Sequence, residues 1–187
     1  MTTKAINDVQ ILFVEMQPPI VASSATLPPN SLKRAATAVT RMADALALPT
    51  TASVVPLGDE SPAPIDELAS IGVLVRTTIS ALADTACRTR VTNNQRSTVV
   101  LAGVSSEIAV LHTALDARQE GYDVVVLVDC CGGLSNRTEA TALDQMRAAG
   151  VVVTNISSFF TGLVGDMASP EGGAVMATLA EFWSWGR

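Results

Sequence analysis

The sequence predicts an α/β fold in three layers, with helices on both faces of a six-stranded, mostly parallel, doubly wound sheet. The main observation is the stretch 98–129, which has the pattern of a strand, a helix and a second strand. The runs at 99–102 and 122–128, which are apolar except for Asp123, are typical of strands buried on both faces of a parallel sheet. Between them, apolar residues keep helical spacing up to Gly121, a residue that favours the end of a helix. Composition agrees, because 48% of the residues are hydrophobic and few are aromatic, so that small aliphatic side chains form the core.

The elements that precede this central unit alternate in the same way. Residues 9–14 form a buried apolar strand, and a loop rich in proline, serine and threonine then extends to Asn30. Ser31 is a suitable N-cap for a helix that runs to Leu46, with apolar residues at helical spacing. Two further strands are predicted at 50–55 and 72–75.

The elements that follow the central unit complete the alternation of strands and helices. A turn is predicted at 130–133, where Cys130 and Cys131 are followed by two glycines. The remaining predicted helices are 83–93, 135–149, 156–164 and 173–183, and the sixth strand is 151–154. Strands that alternate with helices in this way indicate a parallel sheet covered on both faces.

Several polar side chains directly follow predicted strands. Glu15, Arg76, the turn 103–109 and Asp129 all come after apolar runs. In an open α/β sheet, binding sites lie beyond the carboxyl ends of the strands, at the point where the strand order reverses. We therefore expect these residues to lie on one edge of the sheet, here called the rim.

Composition and charge limit the classes of partner. With 187 residues, the chain is expected to form a single domain over residues 1–187. A net charge of −6 argues against nucleic acid and against an anionic membrane surface, both of which attract basic patches. No apolar run reaches the roughly 20 residues that span a bilayer. The surplus of apolar over charged residues favours a homo-oligomer, and three cysteines without a paired spacing favour a cytoplasmic location.

Three segments resemble the isochorismatase-like (cysteine hydrolase) family. The segment GVSSEIAVLHTALDA, from Gly103 to Ala117, is similar to the family signature G-V-x-T-x-x-C-V-x-x-T-A-x-D-A. ILFVEMQ is similar to an apolar run followed by D-M-Q, and RTTISAL to K-x-x-x-S-x-F. These similarities occur in family order from Val9 to Thr154. They imply the family's α/β fold and an origin among hydrolases of small substrates.

The resemblance also implies a catalytic triad, and all three of its positions are changed in this chain. The family's nucleophilic cysteine falls on Ala109, its aspartate on Glu15 and its lysine on Arg76. Covalent catalysis through a methyl side chain is impossible. Whether the protein is an enzyme is therefore left open by the sequence.

The same resemblance implies a substrate-binding turn beside the triad. Its residues are Val104, Ser105 and Ser106, with Gln17 from the D-M-Q segment. In the family, backbone N–H groups of this turn hold an oxyanion, and a non-proline cis peptide bond is usual there. In this chain that bond would fall between Val104 and Ser105. From the residues alone, capping of the following helix is the expected role of Ser105 or Ser106.

Two functions from different classes are compatible with these residues. In the first, a Glu15–Arg76 salt bridge closes the site of a non-catalytic relative, which binds a small anion or acts as an assembly subunit. In the second, the pair recognises a substrate carboxylate, and Glu15 acts as the acid or base of a hydrolase that needs no thiol. Protonation of a vinyl ether, as in the family's isochorismatase branch, or hydrolysis of an amide would fit that second function.

Other candidate groups favour structural roles. His112 is the only histidine, and the cysteines have no paired spacing, so no zinc site is predicted. An oxygen-only site for magnesium or calcium is left open by the sequence. Cys130 and Cys131 are expected to behave as small buried hydrophobes, a replacement nucleophile being the alternative. Asp129 is expected to accept backbone N–H bonds. The dinucleotide motif G-x-G-x-x-G is absent, so no cofactor is predicted.

Overall fold

The computed structural model describes residues 5–59 and 61–184, and its centre is one sheet of six parallel strands. The sheet order is β3-β2-β1-β4-β5-β6, and every neighbouring pair is parallel. The strands are β1 (Val9–Val14), β2 (Thr50–Val54), β3 (Val73–Val75), β4 (Thr98–Val104), β5 (Asp123–Gly132) and β6 (Val152–Thr154). This arrangement confirms the predicted fold class.

Helices connect the strands and cover both faces of the sheet. They are α1 (Pro18–Ala22), α2 (Pro29–Ala45), α3 (Thr85–Asn93), α4 (Leu111–Gln119), α5 (Asn136–Ala148), α6 (Ile156–Val164) and α7 (Pro170–Ser184). Short 3-10 turns lie at Ile6–Asp8 and Asp66–Leu68, and a π-helical turn, Ser106–Val110, leads directly into α4.

The core consists of two apolar layers on opposite faces of the sheet. One layer holds the buried residues of α2, α6 and α7, and the other holds those of α3, α4 and α5. Successive residues of β1 alternate between the layers, since Phe13 packs in the first and Val14 in the second. This alternation explains why residues 11–14 of β1 are all apolar, while the buried Gln10 is the one polar residue of the strand.

Local sequence signals fix several of the helix starts. Ser135 accepts a hydrogen bond from the backbone N–H of Thr138 at the start of α5, at a distance of 3.2 Å. Asp84 and Asn155 cap α3 and α6 in the same way. These caps satisfy N–H groups that have no partner within the helix, and they explain why the predicted starts of these helices fall within two residues of the observed ones.

Three helix starts differ from the prediction because proline occupies the first helical turn. Pro18 begins the short helix α1 within the predicted loop, and Pro170 begins α7 three residues before the predicted start. The missing N–H of proline costs nothing at this position, and its φ angle suits a helix. For the same reason α2 begins at Pro29, and Ser31 is not its cap.

The predicted turn at 130–133 is wrong, because β5 continues to Gly132. The pairing of β4 with β5 shifts between Leu101 and Gly103, and beyond this irregularity Gly103 pairs with Cys131. Cys130 and Cys131 are buried within the strand, one in each apolar layer. Asp129 therefore lies inside the strand and not at its end.

The strand order reverses between β1 and β4, which pair along their full lengths. A Cβ atom on Gly103 would lie 2.2 Å from the carbonyl oxygen of Val14, so only glycine fits there. The last residues of β1 and the turn after β4 are consequently close neighbours. This is the position at which the sequence places Glu15 and Ala109.

Candidate active site at the carboxyl edge of the sheet

Glu15 continues the line of β1 for one residue beyond the strand. Its N–H donates to the carbonyl of Ser53 on the neighbouring strand, at 2.9 Å, and its φ angle is +54°. A left-handed backbone is unusual for a residue with a side chain, and such conformations often occur at functional sites. Glu15 leaves 12% of its side chain exposed to solvent.

Arg76 follows β3 and reaches across β2 to Glu15. Its Nη2 donates to Oε1 of Glu15 at 2.6 Å, its Nε donates to Oγ of Ser53 at 3.5 Å, and its Nη1 donates to the carbonyl of Thr78. The side chain is completely buried. Each guanidinium nitrogen therefore has an acceptor within the protein, and the ion pair considered in the sequence analysis is formed.

The pair leaves Glu15 in an unusual electrostatic state. Burial raises the pKa of the Glu15 carboxyl above its ordinary value of 4.5, although the charge and the hydrogen bond of Arg76 both act to lower it. Desolvation of the charged carboxylate outweighs the attraction of its partner. Glu15 therefore holds a proton more readily than a glutamate on the surface.

The turn after β4 differs from the expectation at two points. The peptide bond between Val104 and Ser105 is trans, and Ser105 has a φ angle of +39°. Ser105 occupies the N-cap position of the π-helical turn, but its side chain makes no capping hydrogen bond. Instead the buried Ser106 hydroxyl donates to Oε1 of Glu139 at 2.7 Å, which ties the π-helical turn to α5.

Ala109 lies inside this π-helical turn and is fully buried. It packs in the apolar layer that also contains Val14, Ala81 and Leu82. The segment that follows Arg76 is held to α4, because the N–H of Ala81 donates to the hydroxyl of Thr113 at 2.9 Å. The position that corresponds to the nucleophile is thus a packed methyl group.

Gln17 uses its side-chain amide within the protein. Its Nε2 donates to the carbonyl of Val55 at 2.9 Å, and its Oε1 accepts from the N–H of the same residue at 2.7 Å. This pair of bonds continues the pairing of β1 with β2 beyond their backbone ladder. Each polar atom of the Gln17 side chain therefore makes one hydrogen bond to Val55.

All three cysteines are buried free thiols. Burial raises the pKa of Cys131 to about 12, and that of Cys130 well above its ordinary value. Burial, reinforced by the nearby Asp84, also raises the pKa of Cys87 to about 12. The reactive form of cysteine is the thiolate, which none of these groups supplies near neutral pH.

Among the described residues, Asp129 and His112 form no hydrogen bond or ion pair with Glu15 or Arg76. Oδ1 of Asp129 accepts the N–H of Ile156 at 2.9 Å, at the start of α6. The prediction that Asp129 accepts a backbone N–H is confirmed, although its partner is a helix rather than a turn. His112 is exposed on α4.

Glu107 is a polar residue of this region that the sequence analysis did not select. Its Oε1 accepts from the N–H of Leu134 at 2.9 Å, from that of Ser135 at 3.4 Å and from the Thr138 hydroxyl at 2.6 Å. Burial alone would raise the pKa of this carboxyl, but these hydrogen bonds hold it below the ordinary value. The partners lie about 30 residues further along the chain, and no local pattern marks such a contact.

The rim also carries exposed apolar side chains. Leu57 follows β2, Ile79 follows β3, Ile108 follows β4 and Leu134 follows β5, and each is between 42% and 59% exposed. The ends of four strands therefore present large hydrophobic residues to solvent, and Val75, the last residue of β3, is also 52% exposed. Isolated exposed hydrophobic residues are common, whereas a contiguous apolar patch marks an interaction surface.

Two cavities lie away from the triad positions. The larger, about 500 Å³, lies between α2 and α7, and the smaller, about 290 Å³, lies between the π-helical turn and α5. Neither is lined by Glu15, Arg76 or Ala109.

Within residues 5–59 and 61–184, no three His, Cys, Asp or Glu side chains are grouped to hold a metal ion. None of the helices in the same ranges is long and apolar enough to cross a membrane.

Comparison with known proteins agrees with the fold and with its motifs. The family model described as the isochorismatase domain matches residues 6–158. A secreted isochorismatase effector of Phytophthora sojae is 34% identical over 77 residues, which cover 41% of this chain and 37% of that protein. The chain thus spans less than half the length of this curated relative.

Solved structures with the same fold align over nearly the whole chain. The YcaC gene product of Escherichia coli, described as an octameric hydrolase of unknown specificity, has a TM-score of 0.86 at 23% identity, over 98% of this chain and 90% of that one. YcaC from Pseudomonas aeruginosa, solved with covalent acrylamide, has a TM-score of 0.82 at 23% identity, over 100% and 98% of the two chains.

Proposed function

This chain belongs to the isochorismatase family, and we propose that it is a member without cysteine-hydrolase activity that acts as a subunit of a homo-oligomer. The observation that carries this proposal is the buried Glu15–Arg76 pair. Arg76 has no exposed surface, and its three nitrogens already have acceptors. The two polar positions of the triad are thus used to stabilise the fold.

The state of the third triad position supports the same conclusion. Ala109 has no reactive atom and no exposed surface. The remaining thiols are buried, and burial raises the pKa of each. A covalent thioester or thioimidate intermediate therefore has no residue in this region on which to form.

The geometry of Arg76 favours an assembly role over anion binding at the rim. A small anion would have to replace the Glu15 carboxylate at a completely buried guanidinium. The exposed residues Leu57, Ile79, Ile108 and Leu134, in contrast, need no rearrangement to meet a second subunit. An octameric hydrolase shares the fold, but at 23% identity that likeness supports the fold alone. The exposed rim residues of this chain favour the assembly role.

Catalytic activity is tested with purified full-length protein, isochorismate and a panel of small primary amides. We expect no turnover by the wild type. A variant with Glu15→Asp, Arg76→Lys and Ala109→Cys restores the family pattern and is the positive control for the assay. Wild-type turnover that disappears in Glu15→Gln would contradict the proposal.

Assembly is tested by analytical ultracentrifugation. We expect the wild type to sediment as an oligomer, and Ile79→Glu combined with Ile108→Glu to shift it toward the monomer. Met167→Glu is the matched control, because Met167 is 65% exposed but lies in the loop between α6 and α7. A monomeric wild type, or an unchanged assembly in the double variant, would refute the assembly role.

One observation favours a second candidate, a hydrolase that needs no thiol. Because burial raises the pKa of Glu15, this residue is better suited than a surface carboxylate to donate a proton to a vinyl ether or amide. Val104, Ser105 and Ser106 would then contact the substrate through the turn. The buried Arg76 could stabilise negative charge on the substrate only through Glu15. The activity test above with Glu15→Gln distinguishes the two candidate functions.

A further inference from the structure

A second region of the molecule has the properties of a ligand site. Helices α2 and α7 and the turn Asp66–Leu68 form the cavity of about 500 Å³, here called the α2–α7 groove. We propose that the α2–α7 groove binds a small aromatic carboxylate that also carries a hydrogen-bond donor. Its volume lies within the range of about 300–1,000 Å³ that is usual for small-molecule pockets.

The charge of the α2–α7 groove favours an anion. Lys33, Arg34 and Arg41, all on α2, line it. They outnumber the two carboxylates of the lining, Glu67 and Glu181, although the whole chain has a net charge of −6. Arg41 pairs with Glu181 of α7. Across the described ranges, no acceptor is found for the ammonium group of Lys33. Lys33 is therefore the cation that is available to a carboxylate.

An apolar surface in the α2–α7 groove favours an aromatic body for the ligand. Phe182 and Ala38 line the cavity from α7 and α2. An aromatic ring that enters the groove would stack on Phe182 and remove apolar surface from water. The combination of one free cation with an aromatic wall distinguishes an aryl carboxylate from an inorganic anion.

A buried hydrogen-bond acceptor in the α2–α7 groove is the reason for proposing a hydrogen-bond donor on the ligand. Oε2 of Glu67 is buried and has no hydrogen-bond partner among the described residues. The hydroxyls of Thr37 and Thr178, which also line the groove, donate to backbone carbonyls of their own helices. An unpaired buried acceptor is costly, and a hydroxyl or amino group on the aromatic ring would satisfy it.

The proposal is tested by isothermal titration of the full-length protein with three probes. We expect 3-hydroxybenzoate to bind once per chain, benzoate to bind more weakly because it cannot serve Glu67, and 3-hydroxybenzyl alcohol not to bind. Lys33→Gln should weaken binding of 3-hydroxybenzoate at least tenfold, the usual size of a hydrogen bond to a charged group. Thr37→Phe, which fills the cavity, should abolish it.

Two control variants separate this site from general charge effects and from the rim. Arg147→Gln also removes one positive charge, but Arg147 is exposed on α5 and pairs with Asp144, so binding should not change. Glu15→Gln should also leave binding unchanged, whatever the activity of the rim. Equal affinity in Lys33→Gln and Arg147→Gln, or no preference for 3-hydroxybenzoate over the alcohol, would overturn the proposal.

Discussion

Replacing Arg76 by methionine removes the buried cation and keeps most of the volume of its side chain. The Glu15 carboxylate would lose its partner at 2.6 Å while only 12% of its side chain meets solvent. Ser53 and the carbonyl of Thr78 would lose a donor as well. The variant therefore leaves a charge in the protein without compensation.

The expected cost at pH 8 is about 3–5 kcal/mol of unfolding free energy, the usual result of removing one partner of a buried ion pair. Domains of this size are stable by about 5–15 kcal/mol, so the variant should still fold but with a clearly reduced stability. Because Glu15 keeps a small exposed fraction, the lower end of this range is expected.

The cost should depend on pH in a defined direction. In the wild type, burial already raises the pKa of Glu15 above 4.5 despite Arg76. Without Arg76, both influences that lower this pKa are lost. The folded variant then binds a proton more readily than the unfolded chain, so its deficit should be smallest near pH 4.5 and should grow as the pH rises through the raised pKa.

Urea unfolding of wild type and Arg76→Met from pH 5 to pH 8 measures both effects. The double variant Arg76→Met with Glu15→Gln removes the stranded carboxylate, and we expect it to recover most of the loss at pH 8. The reasoning would be refuted by a deficit that is the same at every pH, combined with a double variant no more stable than Arg76→Met.

Two further predictions concern the core. Ellman's reagent at pH 8 should react with no thiol of the native protein and with three in urea, because all three cysteines are buried and burial raises the pKa of Cys87 and Cys131 to about 12; rapid reaction of the native protein would contradict this. Gly103→Ala should cost about 3 kcal/mol in thermal unfolding, the upper end for overpacking, since its Cβ would lie 2.2 Å from the carbonyl oxygen of Val14. The matched control is Gly162→Ala in α6, where an added Cβ atom has no neighbour within 4 Å among the described residues. This variant should be neutral or more stable by up to about 1 kcal/mol. Equal losses in both variants would show that the close approach at Gly103 is not the cause.

The fold could be predicted well because its signals are local. Continuous apolar runs, helical spacing and polar caps such as Ser135 identify each major element within a short window of sequence. The extension of β5 through Cys130 and Cys131 was missed, because two glycines in the next positions favour a turn. Only pairing with β4 across the sheet makes those residues part of a strand.

The site could be predicted in its positions but not in its contacts. Glu15 and Arg76 were expected to meet because both follow strands, and they do so at 2.6 Å. The sequence could not determine that Arg76 is completely buried, that Gln17 binds the backbone of Val55, or that Glu107 holds the turn before α5. These contacts depend on how far a side chain reaches across neighbouring strands, which no local pattern encodes.

The α2–α7 groove exists only while the final helix is docked. Its walls are side chains of α2 and α7, and α7 is held through Val175, Leu179 and its contacts with α2 and α6. A molecule in the groove therefore binds the docked state and has no site when the helix detaches. Because binding and local opening of α7 are linked equilibria, a bound ligand would slow amide hydrogen exchange along α7. The degree of slowing would then measure how strongly the groove is occupied.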